Sequence, residues 1–250
     1  IKHIDDVENL TVKNLLNHTT ELSNYTASPH WMTKVGRDIA PRTFEEKIKL
    51  VGKDLTNPGA FSYSNSNYLL LEKIVESIAK KPYDQAFDDF YKTIGLPQIT
   101  MKARNENLQA LFALEKHSST DVSRLNEHYG YDGGAYATPD ELNQLLQMLF
   151  VQKSILNADT IALMMEWMPM QEMAIPTGEG SISHYGNGIM KLNYKGKKFM
   201  GHSGATLKYQ SFVFHSATEN VSISLTTNCS GRHYNNVFFQ ELVPAILDGI

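Results

Sequence analysis

The sequence predicts an α+β fold, with a helical block followed by an antiparallel β-meander and a closing helix. In the first two thirds of the chain, apolar residues recur at spacings of three and four, which is typical of helices. After Pro176 the pattern changes to short, partly alternating runs bounded by turn residues, which is typical of strands. We therefore expect a single domain over residues 1–250, with a mostly helical lobe over 11–170 and an antiparallel sheet with its closing helix over 180–250.

The composition is that of an ordinary globular protein. The chain has 250 residues, of which 42% are hydrophobic and 20% charged, which is enough for one large domain. A net charge of −4 without a basic stripe argues against a nucleic-acid partner. The single cysteine, Cys229, excludes an internal disulfide, and no apolar run is long enough for a membrane span. Neither a metal-binding motif nor a Gly-rich phosphate loop occurs, so we expect no cofactor.

Several helices begin or end with clear local signals. Thr11 can cap a short helix, and Thr43-Phe44-Glu45-Glu46 fits a capping box. Thr138-Pro139-Asp140-Glu141 combines an N-cap, a proline at the first helical position and an acidic first turn. Pro82 and Gly95 bracket a further helix.

Other segments are assigned from composition and alternation. Residues 23–42 contain two prolines and are expected to form a long loop, and a helix is expected over 159–168. Strands are predicted over 183–193, 199–203, 209–216 and 221–227, with a hairpin turn at 194–197 and a final helix that Pro244 interrupts.

The rest of the chain is organised around Tyr63-Ser64-Asn65, which precedes a strongly periodic helix. That helix has apolar residues at four positions spaced i, i+3, i+4 and i+7, namely Leu71, Ile74, Val75 and Ile78. In an extended segment a phenol and a carboxamide two residues apart project the same way, so they offer a proton-transfer group and a two-way hydrogen-bonding group at one point. On these residues alone, a surface turn before an amphipathic helix stays open as the alternative.

Three further segments accompany this stretch in order. Residues 15–22 (Leu-Leu-Asn-His-Thr-Thr-Glu-Leu) precede it, and residues 131–142 and 201–205 (Gly-His-Ser-Gly-Ala) follow it. In this order the four segments resemble the serine β-lactamase and penicillin-binding-protein family, in its branch of class C β-lactamases, DD-carboxypeptidases and related esterases. Residues 15–22 are similar to the "LLxHTSGL" segment of that branch, with Thr20-Glu21 in place of Ser-Gly. Tyr63-Ser64-Asn65 is similar to its Tyr-x-Asn element, and His202-Ser203-Gly204 to its Lys/His-x-Gly strand.

The resemblance implies three catalytic residues. Tyr63 would relay a proton in acyl transfer, and Asn65 would hydrogen-bond the substrate amide and orient the base. His202 would supply positive potential or a proton; a histidine at a sheet edge is the alternative for this residue alone. A free phenol has a pKa near 10, so the role of Tyr63 needs positive charge nearby.

The resemblance also implies three substrate-binding residues. Ser203 would bind a substrate carboxylate or carbonyl, Gly204 would let the substrate backbone approach closely, and the backbone N–H of Ala205 would donate to the oxyanion. A histidine instead of lysine in this triplet favours peptidase or esterase members over class C β-lactamases.

The nucleophile is the element that the sequence does not supply. In the family it is the serine of a Ser-x-x-Lys helix that precedes the segment similar to residues 15–22, so we expect that helix upstream of Ile1 and a fold that lacks its N-terminal part. Ser77-Ile78-Ala79-Lys80 matches the motif but follows Tyr63 at the end of a helix, and we interpret it as a chance match.

Two hypotheses of function follow. The first is a serine hydrolase that forms an acyl-enzyme with a small peptide, amide, ester or β-lactam. The second is a non-catalytic relative that binds peptide or cell-wall fragments. The resemblance implies an extracytoplasmic location in either case. Other hydrolase motifs fit worse, because residues 201–205 lack the last glycine of Gly-x-Ser-x-Gly and no His-Glu-x-x-His occurs.

Overall fold

The chain divides into two compact units. The computed structural model describes residues 9–37, 43–53, 59–102, 109–125 and 128–250. Unit 1 consists of Ile1–Lys102 with Leu125–Tyr136, and unit 2 consists of Ala103–Arg124 with Ala137–Ile250. Helices flank antiparallel strands, which confirms the predicted α+β class. The prediction of a single domain over 1–250 stays a prediction.

Unit 1 is helical. Its helices are α1 (Val12–Leu16), α2 (Pro29–Gly36), α3 (Phe44–Ile48), α4 (Asn65–Ala79) and α5 (Tyr83–Thr93), with a 3₁₀ turn at Tyr25–Ala27. Tyr25, Trp31 and Leu69 are among its most deeply buried large side chains. The rings of Tyr25 and Trp31 meet edge to face at 4.9 Å, a favourable arrangement for an aromatic pair.

The predicted helix starts are confirmed. In the described residues, three helices begin with a reciprocal capping box. The threonine side chain accepts a hydrogen bond from the backbone N–H three residues later, and the side chain of that later residue accepts one from the threonine N–H. The pairs are Thr11–Asn14, Thr43–Glu46 and Thr138–Glu141. Gly95 follows α5 with a φ of 86°, as a glycine at a helix C-terminus does.

The long loop predicted over 23–42 is wrong for its described part. Residues 25–27 form a 3₁₀ turn and α2 spans Pro29–Gly36, while Pro41 and its neighbours 38–42 lie outside the described residues. The side chain of Ser28 accepts a hydrogen bond from the N–H of Trp31. Ser28-Pro29 is thus an N-cap followed by a proline at N1, which is a helix-start signal.

The buried face of α4 differs from the predicted apolar stripe. Ile78 is 77% exposed, whereas Asn67 and Glu72 are buried together with Leu69 and Leu70. Both polar side chains have partners: Asn67 contacts His18 and Thr20, and the carboxylate of Glu72 accepts from the N–H of Tyr131 at 3.2 Å. Satisfied polar groups can therefore occupy positions where periodicity alone places apolar ones.

Unit 2 contains the sheet. In the described residues its main sheet has seven strands in the order β3-β5-β6-β7-β8-β9, with β4 paired to β5. These strands are β3 (Met168–Pro169), β4 (Ile175–Thr177), β5 (Gly180–Tyr185), β6 (Met190–Tyr194), β7 (Lys197–Ala205), β8 (Gln210–Ser216) and β9 (Val221–Thr227). A small sheet joins β1 (Leu111–Ala113) to β2 (Ser119–Asp121) and β10 (Cys229–Ser230).

The strand predictions need one correction. The single strand expected over 183–193 is two strands, β5 and β6, because residues 186–189 turn the chain back. The hairpin turn at 194–197 is confirmed, with Lys195 and Gly196 at φ angles of 47° and 83°. Two consecutive positive φ angles are those of a type I′ turn, whose twist matches that of a hairpin.

Among the described residues of unit 2, the α-helices are α6 (Pro139–Leu146), α7 (Ala158–Met164), α8 (Arg232–Val237) and α9 (Val243–Leu247). A π-helical segment, Gln147–Val151, continues α6, and Phe238–Leu242 joins α8 to α9. Leu146, Phe150 and Ile161 form an apolar cluster with Met200 and Val213 of the sheet. Both α6 and α7 belong to unit 2. The helical lobe expected over 11–170 stays a prediction.

Candidate functional site

The Tyr63 segment of unit 1 is fixed by His18. The Ser62 N–H donates to the backbone carbonyl of His18 at 2.9 Å, and the Ser64 N–H donates to His18 Nδ1 at 3.2 Å. The imidazole packs on the Tyr63 ring, with 4.2 Å between ring centroids. His18 is fully buried, so these contacts lie in the interior of the unit.

Asn65 is the first residue of α4, and it is held by the segment before α2. Its N–H donates to Asn24 Oδ1 at 3.2 Å, and its Nδ2 donates to Thr26 Oγ1 at 2.8 Å. The same Asn24 oxygen accepts from the N–H and hydroxyl of Thr26, as in an Asx turn. Sequence reasoning missed Asn24 and Thr26, although an asparagine two residues before a threonine could have indicated the turn.

The electrostatics of Tyr63 favour the protonated phenol. Burial raises the pKa of Tyr63 above its ordinary value, and the nearby Tyr68 and Asp132 raise this pKa further. At neutral pH the phenol of Tyr63 is therefore protonated.

Four of the predicted site residues, His202 to Ala205, are consecutive on β7 in unit 2. The pairing of β6 with β7 ends at Met190 opposite Gly201, whereas β8 pairs with β7 as far as Ala205. In the described strands, the ladder with β6 therefore ends before Ser203–Ala205, and we call the β6 side of these three residues the open edge of β7. An unpaired strand edge presents main-chain donors and acceptors to another extended chain.

The backbone of Ala205 faces this open edge. Thr206 N–H donates to the Tyr209 carbonyl at 2.8 Å, so Ala205 and Gln210 form a non-hydrogen-bonded pair of the antiparallel ladder. The N–H of Ala205 then points away from β8, as does that of Ser203 two residues before. This orientation is compatible with an oxyanion donor at Ala205.

Burial disfavours a positive charge on His202, and positive potential is one of the two roles that the resemblance implies for it. Burial lowers the pKa of His202 to about 4, although a hydrogen bond to the backbone of Ser203 acts in the opposite direction. Its Nε2 lies 3.1 Å from the hydroxyl of Tyr185, a buried β5 residue that sequence reasoning missed. His202 can therefore act as a hydrogen-bonding group rather than as a cation.

The side chain of Ser203 has a different place from the one expected. It is buried, and its hydroxyl donates to the Met190 sulfur at 3.4 Å. Alternate side chains of a strand point to opposite faces, so Ser203 and His202 do not project together. Only the backbone of Ser203 faces the open edge.

The glycines of β7 have unequal steric demands. A Cβ on Gly204 would lie 3.0 Å from Ser211 Oγ, a side-chain atom that can move. A Cβ on Gly201 would lie 1.9 Å from the Val213 carbonyl oxygen of the neighbouring strand. Gly201 is thus required by the sheet itself, which leaves Gly204 as the glycine available for a role in binding.

A second titratable cluster lies in unit 1 and was not foreseen. Glu72 and Lys47 are buried, and the hydroxyl of Tyr25 donates to the carboxylate of Asp132. Burial raises the pKa of Glu72 to about 7, against the lowering effects of Lys47 and of the Tyr131 backbone. Burial likewise raises the pKa of Asp132, with Lys47 as the main opposing influence.

The Ser-x-x-Lys match at 77–80 lies at the exposed end of α4. Ser77 and Lys80 are both exposed, and Lys80 is the C-cap, with a φ of 55°. This placement confirms the helix C-terminus predicted there. Over the described ranges, no group of three or more His, Cys, Asp or Glu side chains could hold a metal ion, and no helix is long and apolar enough to cross a membrane.

Several solved structures share this architecture. A D-stereospecific amidohydrolase from Streptomyces sp. matches with a TM-score of 0.75 and 22% identity, over 92% of this chain and 72% of that protein. A D-amino acid amidase from Ochrobactrum anthropi SV3, complexed with D-phenylalanine, matches with a TM-score of 0.77 and 16% identity, over 98% and 73%. A penicillin-binding protein from Bacillus halodurans matches with a TM-score of 0.68 and 19% identity, over 96% and 74%. At these identities the matches show the fold.

The fold and the ordered motifs define a protein of the β-lactamase and penicillin-binding-protein class. The chain belongs to the Beta-lactamase family, whose model matches residues 2–238, so the resemblance found in the sequence is confirmed. Family and structural neighbours together support a serine hydrolase family. No curated protein matches the chain at a significant level.

Proposed function

We propose that this protein is an extracytoplasmic serine hydrolase that forms an acyl-enzyme with a small peptide, amide, ester or β-lactam. The observation that carries the proposal is the main-chain edge of Ser203 and Ala205 on β7, which lies beyond the ladder with β6, in a chain of the Beta-lactamase family. An extended substrate would add to this edge through main-chain hydrogen bonds, as peptides add to exposed strands elsewhere. Gly204 would admit the substrate backbone, and the Ala205 N–H would stabilise the oxyanion.

The chemistry requires a nucleophile and a proton donor. We take the nucleophile from the Ser-x-x-Lys helix that the family pattern puts ahead of Ile1. The serine oxygen adds to the substrate carbonyl carbon, and its proton passes to the lysine. Tyr63, protonated at neutral pH, then gives its proton to the leaving nitrogen or oxygen as the bond from that atom to the carbonyl carbon breaks, and it takes a proton back from the lysine. Water then adds to the acyl carbonyl carbon, the ester bond to the serine breaks, and a proton of the water returns to the serine oxygen.

Asn65 supports recognition of the substrate amide in this proposal. Its Nδ2 is already used by Thr26, so the carbonyl oxygen is the atom left to accept a substrate N–H. His202, neutral and hydrogen-bonded to Tyr185, would orient the substrate by hydrogen bonding. The solved neighbours described as an amidohydrolase and an amidase favour an amide among the possible substrates.

Active-site labelling tests the proposal. The protein, expressed with any residues that precede Ile1, is incubated with a fluorescent penicillin and with a fluorophosphonate, and covalent labelling is followed on gels and by mass. We expect one equivalent of label with at least one probe. Ser77→Ala, which changes the exposed chance match, is the matched control and should label as the wild type does. Probe binding without covalent labelling would overturn the hydrolase proposal and indicate the non-catalytic relative.

The role of Tyr63 is tested by removing only its hydroxyl. Tyr63→Phe keeps the ring that packs on His18, so the melting temperature should change little. General acid–base groups contribute about 10²–10⁴-fold to rate, and turnover of an ester or D-amino acid amide should fall within that range. A silent Tyr63→Phe would exclude Tyr63 as the proton donor.

A further inference from the structure

We infer that His18 is a positioning residue that holds the Tyr63 hydroxyl in the geometry needed for proton transfer; this inference rests on the proposed function. His18 is fully buried, so its ring is part of the interior and does not itself meet a substrate. It contacts the residue before Tyr63, Tyr63 itself and the residue after it.

These contacts bracket Tyr63 on both sides. The carbonyl of His18 accepts from Ser62 N–H at 2.9 Å, and its Nδ1 accepts from Ser64 N–H at 3.2 Å. With the N–H of the residue before Tyr63 and the N–H of the residue after it both anchored to His18, the backbone at Tyr63 has little freedom. The imidazole then lies against the phenol ring at a centroid distance of 4.2 Å and an interplanar angle of 34°, which restricts the side chain as well.

The hydrogen bonds also define the state of the imidazole. Asn67 Nδ2 lies 2.9 Å from His18 Nδ1, the atom to which Ser64 N–H donates. The Thr20 hydroxyl donates to Asn67 Oδ1, so the NH₂ group of Asn67 faces His18. Two N–H donors converge on Nδ1, which must therefore carry its lone pair, and the ring proton lies on Nε2.

The backbone conformation of His18 also contributes to the anchoring of the Tyr63 segment. Its φ is 58°, in the left-handed region that non-glycine residues seldom adopt. This conformation turns the carbonyl and the ring of one residue toward the same segment, so that both can anchor it. A misplacement of about 1 Å can cost on the order of 10²-fold in rate, so loss of these anchors should appear in catalysis.

The experiment compares His18→Asn with His117→Asn. Asparagine tolerates the left-handed region, so the change removes the ring and its Nδ1 while sparing the backbone. His117 is exposed and has a φ of 70°, which makes it a matched control for the same substitution. Two readouts are used: hydrogen exchange of the Ser64 amide by NMR, and the kcat and KM of the protein expressed with any residues that precede Ile1.

We expect His18→Asn to speed exchange of the Ser64 amide at least tenfold and to lower kcat at least tenfold with KM within threefold, whereas His117→Asn changes neither. Because His18 acts through Tyr63, adding His18→Asn to Tyr63→Phe should lower kcat little further. Additive losses in that double variant, or an unchanged Ser64 exchange rate, would overturn the inference. If Tyr63→Phe is silent, the proposed function fails, but the exchange readout still reports on the anchoring.

Asn67→Asp provides a second variant in case His18→Asn does not fold. The aspartate keeps the shape of the side chain but replaces the donor that faces Nδ1 with an acceptor. It should draw a proton to Nδ1, displace the Ser64 N–H, and speed Ser64 exchange. An Asn67→Asp protein whose Ser64 exchange matches the wild type would contradict the anchoring of Tyr63 by His18.

Discussion

The hydroxyl of Tyr185 lies 3.1 Å from Nε2 of His202, and their rings meet edge to face. This partner on β5 is fully buried, and burial lowers the pKa of His202 to about 4. The family pattern allows lysine or histidine at this position, and the two are not equivalent here. A lysine brings a cation, whereas this histidine brings a neutral ring.

The first prediction concerns the titration of His202. NMR of ¹³C-labelled histidine should show a midpoint near pH 4 for this ring, with assignment from the missing signal in His202→Asn. Because the pKa of His202 is lower in the folded than in the unfolded state, the folded protein loses stability as the pH falls below the unfolded pKa of about 6.5. The loss amounts to about 3 kcal/mol by pH 4. A midpoint at or above 6.5 would restore the cationic role.

The second prediction concerns Glu72, whose effect has the opposite sign. Its folded pKa of about 7 lies above the ordinary 4.5, so the folded state binds the extra proton and stability falls as pH rises through this window. The unfolding free energy of Glu72→Gln, measured in urea, should therefore rise by about 3 kcal/mol relative to that of the wild type as the pH goes from about 4.5 to about 8. Glu45→Gln, at an exposed glutamate, is the control. An equal rise of its unfolding free energy over the same pH range would show a general effect of charge and contradict the raised pKa of Glu72.

The third prediction separates the two glycines of β7. Gly201→Ala should destabilise the protein by about 3 kcal/mol, because the Val213 carbonyl must move. Gly204→Ala should cost less than about 1 kcal/mol, because only the Ser211 side chain must shift. Labelling by the activity probe should slow in Gly204→Ala at an unchanged melting temperature. Equal stability losses in the two variants would contradict the described pairing of β7 with β8.

The fourth prediction concerns Ser64, which is 1% exposed and whose hydroxyl has no hydrogen-bond partner in the described residues. Ser64→Ala should raise the unfolding free energy by about 1 kcal/mol, since an unsatisfied buried hydroxyl is removed. Ser66 is the matched control, because its hydroxyl accepts from Tyr25 N–H and donates to the Ser23 carbonyl. Ser66→Ala should lower the unfolding free energy by about 1–3 kcal/mol, because the change leaves the buried partners of Ser66 unsatisfied. Equal effects of the two changes would be inconsistent with these bonds.

The parts of the fold that were predictable depend on neighbours in sequence. A capping box such as Thr43–Glu46 needs only four residues, and the type I′ turn at Lys195-Gly196 needs only two with the right φ angles. The helix α2 has a similar local signal at Ser28-Pro29, whereas the proline and glycine content of residues 23–42 favours a loop.

The buried face of α4 could not be predicted locally. Asn67 is buried because Thr20, 47 residues away, is its partner, and Glu72 because Tyr131, 59 residues away, donates to it. In the candidate site, the motif residues at 63–65 and 202–204 were found from sequence. The lowered pKa of His202 could not be predicted from sequence, because it depends on burial and on the contact with Tyr185.

The connectivity of the sheet has a kinetic consequence. From β5 to β9 every strand pairs with the next one along the chain, so its hairpins close over short loops. Unit 1 instead joins Thr20 to Asn67 and Tyr25 to Asp132, across 47 and 107 residues. Low contact order speeds folding, so the meander is the natural nucleus, and the segment that carries Tyr63 is completed only when distant parts of the chain have met.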